Sequence, residues 1–187
     1  FVLTNTEKHF EICNYLIKKC KNIFCEKPLT KNIKTSLQLI QNSKKFKSNI
    51  YISNVEKFKF KKLILKKKNF IERKKFSEDK KDLFLRYVYH DLYTLSDLVD
   101  IKNFKKFKLI KKRKGELSYS FEINKKLFNF SYSFNSNKKV HRINSVNFLK
   151  FNGNPLDRMI QSIVTKKENK ILNNKNDLSA IYVINKI

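Results

Sequence analysis

Apolar positions along the first 58 residues follow two different periods. Short apolar runs at residues 1–6, 23–25 and 49–53 predict strands. Between them, apolar residues recur every three or four positions over 7–20 and about 31–46, which predicts two helices. Strands that alternate with helices are typical of a parallel sheet with helices packed on it.

From residue 59 to residue 100 the pattern changes twice. A strand near residues 62–70 is predicted first, followed by a charged loop over 72–80 that is typical of a boundary between domains. Residues 82–99 are predicted to form a helix, because apolar side chains recur there at helical spacing. That stripe consists of Phe84, Val88, Leu92, Leu95 and Val99.

After Asp100, apolar and polar residues alternate with a period of two. The alternation predicts strands over 104–112, 117–123, 128–134 and 140–148, joined in an antiparallel meander with an aromatic face. Such a face normally packs against helices. A platform on which nucleic-acid bases stack is the alternative.

Two helices are predicted at the end of the chain. Asn154 is a suitable N-cap for the first of them, and Pro155 is a suitable first residue. The buried stripe predicted for this helix is Leu156, Ile160, Ile163 and Val164. After a polar loop over 166–176, the last helix is predicted to begin at Asp177 and to direct Leu178, Ile181 and Tyr182 inward.

Length and composition indicate a folded protein. The 187 residues, 41% of them hydrophobic, suffice for one core or for two small domains. The sequence contains no uninterrupted apolar run of about 18 residues, so we expect no membrane span. Cys13, Cys20 and Cys25 lack the spacing of metal ligands, so we expect no metal site. Reduced thiols are expected as well, which is typical of a cytoplasmic protein.

The formal net charge of +27 suggests a polyanion partner, and a lysine-rich nucleic-acid-binding protein is therefore an alternative interpretation. Almost all of the charge is lysine, whereas proteins that read nucleic acids rely on arginine for bidentate contacts. The basic residues are spread along the chain rather than gathered in a tail. A solvated surface encoded by an AT-rich genome explains them more simply.

The best candidate for chemistry is Glu26-Lys27-Pro28, directly after the buried strand at 23–25. Open α/β sheets bind ligands at the carboxyl ends of their strands, which is where this charged pair is expected. Proline restricts the preceding residue to extended conformations, so Lys27 is predicted to be held in place. The Lys27–Pro28 bond can be trans or cis.

The order of these elements resembles the glucose-fructose oxidoreductase / inositol dehydrogenase (Gfo/Idh/MocA) family. The resemblance covers nearly the whole chain and is carried by the motifs Thr4-Asn5, Glu26-Lys27-Pro28, Asn54-Val55-Glu56-Lys57-Phe58, His90-Asp91-Leu92-Tyr93 and Asn154-Pro155-Leu156. It implies an α/β plus α+β fold. Residues 1–58 would be the C-terminal half of a Rossmann-type dinucleotide-binding domain. Residues 59–187 would be a predominantly antiparallel open-sheet domain with flanking helices.

The only glycines are Gly115 and Gly153, and the G-x-G-x-x-G loop that binds a pyrophosphate is absent from the sequence. Set against the family, this implies a member whose first βαβαβ portion is missing, or a catalytically inactive remnant.

The resemblance implies an oxidoreductase that moves hydride between NAD or NADP and a hydroxyl carbon of a sugar, cyclitol or sugar derivative. Lys27 would hydrogen-bond the reacting hydroxyl, and His90 would carry the proton. Thr4, Asn5 and Glu26, together with Lys27, would line the nicotinamide side. The family also implies a homo-oligomer formed through the C-terminal sheet.

Two positions depart from the family pattern. Arg86 stands where many members have an aspartate, and Tyr93 stands where an acidic residue is common. Arg86 would lower the pKa of His90, and either holds a carboxylate or phosphate of the substrate or forms a surface ion pair. Tyr93 either offers its hydroxyl to the substrate or packs in the core.

Overall fold

The computed structural model describes residues 1–59, 62–78, 87–165 and 174–187, which form two sheets with packed helices. In chain order the elements are α1 (Thr6–Leu16), β1 (Asn22–Cys25), α2 (Ile33–Lys45), β2 (Asn49–Ile52), a short 3₁₀ helix (Val55–Phe58), β3 (Lys68–Phe76), α3 (Tyr89–Ser96), a 3₁₀ turn (Ile101–Asn103), β4 (Lys105–Arg113), β5 (Glu116–Ile123), β6 (Lys126–Ser133), β7 (Asn135–Ile143), β8 (Val146–Asn147), α4 (Pro155–Val164) and α5 (Asn174–Ile184). Within the described ranges, no helix has the length and apolar character needed to cross a membrane.

The first sheet is parallel, as the alternation of strands and helices predicts. β1 and β2 pair with Ile23 opposite Ile50. On the other edge of β1, the Val2 N–H donates to the Phe24 carbonyl at 2.7 Å, and the Val2 carbonyl accepts from the Glu26 N–H at 2.9 Å. Helices α1 and α2 cover the sheet with a small apolar core.

The predicted strand over residues 1–6 is reduced to the Val2 bridge, because α1 already begins at Thr6. The same helix ends at Leu16, whereas the prediction extended it to Cys20. The other predicted elements of this half, β1, α2 and β2, are confirmed within a few residues.

The second sheet is not the continuous meander that the alternation predicts. Its order is β4-β5-β6-β3-β7-β8, with β3 between β6 and β7, parallel to the former and antiparallel to the latter. The predicted strand over 62–70 and loop over 72–80 are also wrong, since β3 runs from Lys68 to Phe76. Its second half is charged and carries no apolar alternation. Pairing on both edges and a buried ion pair at Arg73 hold it in the sheet instead.

One face of this sheet forms the main core. Rings from β5 and β6 stack across the strands, as Tyr119 and Phe130 do with centroids 4.4 Å apart. Helices α3 and α5 supply the opposite side of this core. Because Tyr119, Phe121 and Phe128 are fully buried, these rings are not available to stack on nucleic-acid bases. The prediction of a sheet packed against helices is therefore confirmed.

The helix predicted over 82–99 ends three residues earlier than predicted. A π turn at Tyr87 and Val88 leads into α3, which ends at Ser96. Residues 82–86 of the predicted helix lie outside the described residues.

The predicted N-cap of α4 is confirmed, but three of the four side chains predicted to be buried are not, and the side chain of the fourth, Ile163, lies outside the described residues. Asn154 Oδ1 accepts from the Leu156 N–H at 3.0 Å. Leu156, Ile160 and Val164 are 46%, 40% and 72% exposed, whereas Met159 is buried. α4 packs on the 3₁₀ helix at 55–58, and a contact this narrow does not cover the rest of its apolar stripe.

The last helix begins three residues earlier than predicted, at Asn174. Ile181 is buried as predicted, whereas Leu178 and Tyr182 are half-buried. α5 contacts α2 and β2 as well as α3, so it lies where the two sheets meet. A domain boundary near residue 58 stays a prediction.

Candidate active site

The turn that follows β1 carries the predicted lysine. Glu26 is exposed, Lys27 is half-buried and Pro28 is buried, with a cis peptide bond between Lys27 and Pro28. The turn lies at the carboxyl end of a parallel strand, the edge of the sheet at which α/β proteins bind ligands.

Two buried side chains hold this turn through its backbone. His9 Nδ1 lies 3.0 Å from the Pro28 carbonyl oxygen, and its Nε2 lies 3.0 Å from the Thr4 carbonyl oxygen. Both partners are acceptors, so both contacts are hydrogen bonds only when each ring nitrogen carries a proton. The N–H of the same peptide group, that of Leu29, donates to Asp177 Oδ1 at 3.2 Å. On the other side of Lys27, the Glu26 N–H donates to the Val2 carbonyl at 2.9 Å, so hydrogen bonds hold the backbone both before and after Lys27.

His90 lies in the first turn of α3, with Nδ1 3.4 Å from Asn54 Oδ1. The same Oδ1 accepts from the Glu56 N–H at 3.2 Å, which identifies it as the amide oxygen. Since this oxygen only accepts, the contact needs the proton of neutral His90 on Nδ1. The lone pair on Nε2 is then free to take a proton.

Lys27 and His90 influence each other electrostatically. Burial lowers the pKa of His90 well below its ordinary value, and the positive charges of Lys27 and then Arg73 lower it further. The imidazole is therefore neutral near pH 7 and able to act as a base. Asp177 links the segments that carry Lys27 and His90, since it accepts from the Leu29 N–H, two residues after Lys27, and from the Tyr89 hydroxyl, directly before His90.

A buried ion pair anchors α3 to the second sheet beside His90. Arg73 on β3 donates from Nε to Asp91 at 3.1 and 3.0 Å, and from Nη2 at 3.0 Å. His141 Nε2 lies 3.1 Å from the same carboxylate. Burial alone would raise the pKa of Asp91, but Arg73 and His141 lower it below its ordinary value. Asp91 is therefore ionised, with its charge neutralised by its neighbours.

Asp177 on α5 is buried among neutral donors instead. It accepts from the Leu29 N–H and from the Tyr89 hydroxyl. Within the described part of the chain, Asp177 Oδ2 has no hydrogen-bond partner. Burial raises the pKa of Asp177 to about 7, although both hydrogen bonds act in the opposite direction.

The other predicted site residues have different positions. Thr4, Asn5 and Glu26 are exposed and follow Val2 and β1 at the same sheet edge. Tyr93 is fully buried in the main core, with its ring centroid 5.9 Å from that of Tyr89, so it packs there and offers no surface to a substrate. Arg86 lies outside the described residues.

Sequence reasoning missed His9, Asn54 and Asp177 as site residues. Asn54 directly follows β2, so the rule that directed attention to Lys27, polar residues at strand ends, also points to it. His9 and Asp177 act on the turn from 19 and 148 positions away from their backbone partners. A local pattern carries no signal for contacts of that kind.

The fit of a nicotinamide cofactor to these residues is partial. Exposed polar groups at Thr4, Asn5 and Glu26 surround the strand ends next to Lys27, which suits the nicotinamide end. Asn54 Nδ2 is a buried donor without a partner among the described residues, and it adjoins His90. The 187 residues contain no glycine loop for the pyrophosphate.

Several solved structures that share this fold are oxidoreductases by name. The UDP-N-acetylglucosamine 3-dehydrogenase GnnA from Acidithiobacillus ferrooxidans is similar with a TM-score of 0.80 at 12% identity, over 99% of this chain and 75% of that one. The WlbA dehydrogenase from Thermus thermophilus, in complex with NAD and alpha-ketoglutarate, is similar with a TM-score of 0.78 at 11% identity, over 97% of this chain and 69% of that one. The aldose-aldose oxidoreductase from Caulobacter crescentus is similar at 0.72 and 11% identity, over 99% and 74%.

No protein-family model matches the sequence, and no curated protein matches it. At the identities of these solved structures, the similarity establishes the fold.

Asp91→Asn is expected to lower the free energy of unfolding by about 3–5 kcal/mol, because it removes the carboxylate that binds the buried Arg73 and leaves only Glu56, 3.8 Å from Nη2. Urea denaturation measures the change. The control is Glu122→Gln in the solvent-exposed pair with Lys106, which should cost less than about 1 kcal/mol. Equal losses in the two variants would contradict the proposed role of the buried pair.

Asp177→Asn is expected to remove a pH dependence of stability. The folded carboxyl titrates at about 7 and its ordinary value is 3.8, so the folded state binds the proton more tightly. The stability that protonated Asp177 contributes is complete below about pH 4 and is lost as the pH rises to about 7.

Asparagine mimics the protonated carboxyl at every pH. In urea denaturation from pH 4 to 8, the free energy of unfolding of the variant should therefore rise relative to that of the native protein. The difference should grow by roughly 1.4 kcal/mol per pH unit at most and become constant above pH 7. A difference that does not change with pH would disprove the shifted titration of Asp177.

Proposed function

The chain has the fold of the Gfo/Idh/MocA oxidoreductases, and we propose that it acts as an NAD(P)-dependent dehydrogenase on a hydroxyl carbon of a sugar, a cyclitol or a sugar derivative. The observation that carries the proposal is the bridge at Asp177, which accepts from the Leu29 N–H, two residues after Lys27, and from the Tyr89 hydroxyl, directly before neutral His90. The substrates printed for the solved neighbours, a UDP-sugar and aldoses, support the substrate class.

In this proposal Lys27 and His90 have complementary tasks. The Lys27 ammonium hydrogen-bonds the substrate hydroxyl and lowers its pKa by stabilising the alkoxide. His90 Nε2 takes the hydroxyl proton, while Asn54 keeps the other ring nitrogen protonated. A nicotinamide, when bound, accepts or returns the hydride. Thr4, Asn5 and Glu26 lie at the strand ends where that ring would be held.

The buried groups around the pair preserve its geometry. His9 and Asp177 fix the turn that carries Lys27. Arg73 and Asp91 fix the helix that carries His90. Proton transfer requires hydrogen-bonding distances, so displacement of either support should reduce turnover.

Two further properties belong to this proposal. We expect a homo-oligomer formed through the outer face of the second sheet, since helices α3 and α5 pack on its inner face. We also expect a cytoplasmic protein, because all three cysteines are free thiols. The interpretation as a nucleic-acid-binding protein receives no support from the buried aromatic rings of β5 and β6.

His90→Ala should reduce kcat about 10²–10⁴-fold because the general base is lost. Lys27→Met should reduce it about a hundredfold or more because the alkoxide loses its charged partner. The formation of NADH or NADPH with a panel of sugars and cyclitols measures both. In the native protein, kcat/KM should fall only below about pH 6.5, since the pKa of His90 is lowered.

The matched control is Lys31→Met, which removes an exposed lysine paired with Glu7 on the surface. Its kcat should equal that of the native protein. Undiminished turnover in His90→Ala would refute the role of His90. A native protein that is inactive on the whole panel would favour the inactive remnant.

These 187 residues are expected to bind NAD and NADP poorly by themselves, because they contain no glycine loop to hold the pyrophosphate. Isothermal titration calorimetry with each dinucleotide measures the affinity. A dissociation constant in the micromolar range would contradict this expectation.

A further inference from the structure

A small basic pocket lies where β3, β7 and the start of α3 meet. Its volume is about 160 Å³. Five cationic side chains and one carboxylate line it: Lys59, Arg73, Lys74, Lys75, Lys139 and Glu56. The excess of positive charge favours an anionic ligand.

A β-bulge brings two of these cations to the same pocket. The pairing of β3 with β7 is irregular between Lys74 and Phe76. In an unbroken strand Lys74 and Lys75 would point to opposite faces, yet both line the pocket. Across the pocket, Lys139 extends from β7.

Several of the cations are already neutralised. Arg73 binds Asp91, Lys59 lies 3.0 Å from Glu56, and Lys74 is paired with Glu72 on the same strand. By contrast, within the described ranges no carboxylate lies in salt-bridge distance of Lys75 or Lys139. Lys75 lies over the ring of Tyr87 at 5.6 Å. These two lysines therefore retain charge for a ligand.

The pocket adjoins the candidate active site. Arg73 and Lys59 line it, and the same two charges help to lower the pKa of His90. Tyr87, which also lines the pocket, precedes His90 by one helical turn. Glu56, whose side chain also lines the pocket, donates from its backbone N–H to the Asn54 oxygen that lies 3.4 Å from His90 Nδ1.

We propose that this pocket binds a phosphoryl group of the substrate, which makes the substrate a phosphorylated sugar or cyclitol. The assignment rests on the proposed dehydrogenase function. Lysine ammonium groups are compact point charges that suit a phosphate dianion. The guanidinium of Arg73, which suits a planar carboxylate, is already bound by Asp91. The pocket belongs to β3 and β7, away from the ends of Val2 and β1 where the cofactor is expected.

The test is an NMR titration of the ¹⁵N-labelled protein with glucose 6-phosphate, inorganic phosphate, glucose and ADP. Glucose 6-phosphate and phosphate should shift the amides of residues 74–75 and 139–140 in a saturable way, and glucose should not. In the double variant Lys75→Gln/Lys139→Gln, affinity for glucose 6-phosphate should fall about tenfold or more.

The matched control is Lys68→Gln/Lys138→Gln. It removes the same charge from the same two strands at exposed positions that do not line this pocket. Its affinity for glucose 6-phosphate should change by less than about twofold, the effect of net charge alone. If the first double variant fails to fold by circular dichroism, Lys139→Gln, at an exposed position, takes its place.

Three results would overturn the inference. Glucose could bind as tightly as glucose 6-phosphate, or the two double variants could lose equal affinity for glucose 6-phosphate. The third is that the affinity for ADP depends on Lys75 and Lys139 as strongly as the affinity for glucose 6-phosphate does. The titration needs neither cofactor nor turnover. A protein that binds glucose 6-phosphate as expected but transfers no hydride refutes the dehydrogenase proposal and leaves the phosphoryl site standing.

Discussion

The geometry of the site depends on one buried carboxyl group, that of Asp177. It accepts a hydrogen bond from the backbone of Leu29, two residues after Lys27, and another from the hydroxyl of Tyr89, directly before His90. The last helix thereby fixes the turn of the first sheet and the helix of the second sheet against each other. This bridge supports the fixed geometry that proton transfer between substrate and side chains requires.

Acidic residues are scarce in this chain of net charge +27, yet several of them lie at the site. Glu56, Asp91 and Asp177 are all buried around the site, although most polar groups of that kind lie on protein surfaces. Asp91 is surrounded by cations and stays ionised, whereas Asp177 meets only neutral donors and retains its proton to higher pH. The same chemical group therefore supports the site in two charge states, and the environment decides which.

Periodicity predicted most of the fold where apolar side chains mark the buried face. β5 and β6 alternate strictly and were found within one or two residues, as was the cap at Asn154. The bounds of β3 were not predicted, because its second half is charged and shows no apolar alternation. Its place between β6 and β7 follows from long-range pairing. The stripe of α4 was misread as buried, since periodicity shows that a helix has an apolar face but not whether anything covers it.

By itself, the sequence determined the parallel arrangement of the first half, the aromatic core of the second, and the choice of Lys27 as a candidate, whereas His90 became a candidate through the family resemblance. These features are local, because they follow from the spacing of side chains along one element and from a proline next to a lysine. The tertiary structure alone decided that Asp177 and His9 hold the lysine turn, that Arg73 pairs with Asp91, and that Tyr93 packs in the core. Each of these depends on residues distant in the chain meeting in a buried space, where an unpaired polar group is costly and its partner is chosen by proximity.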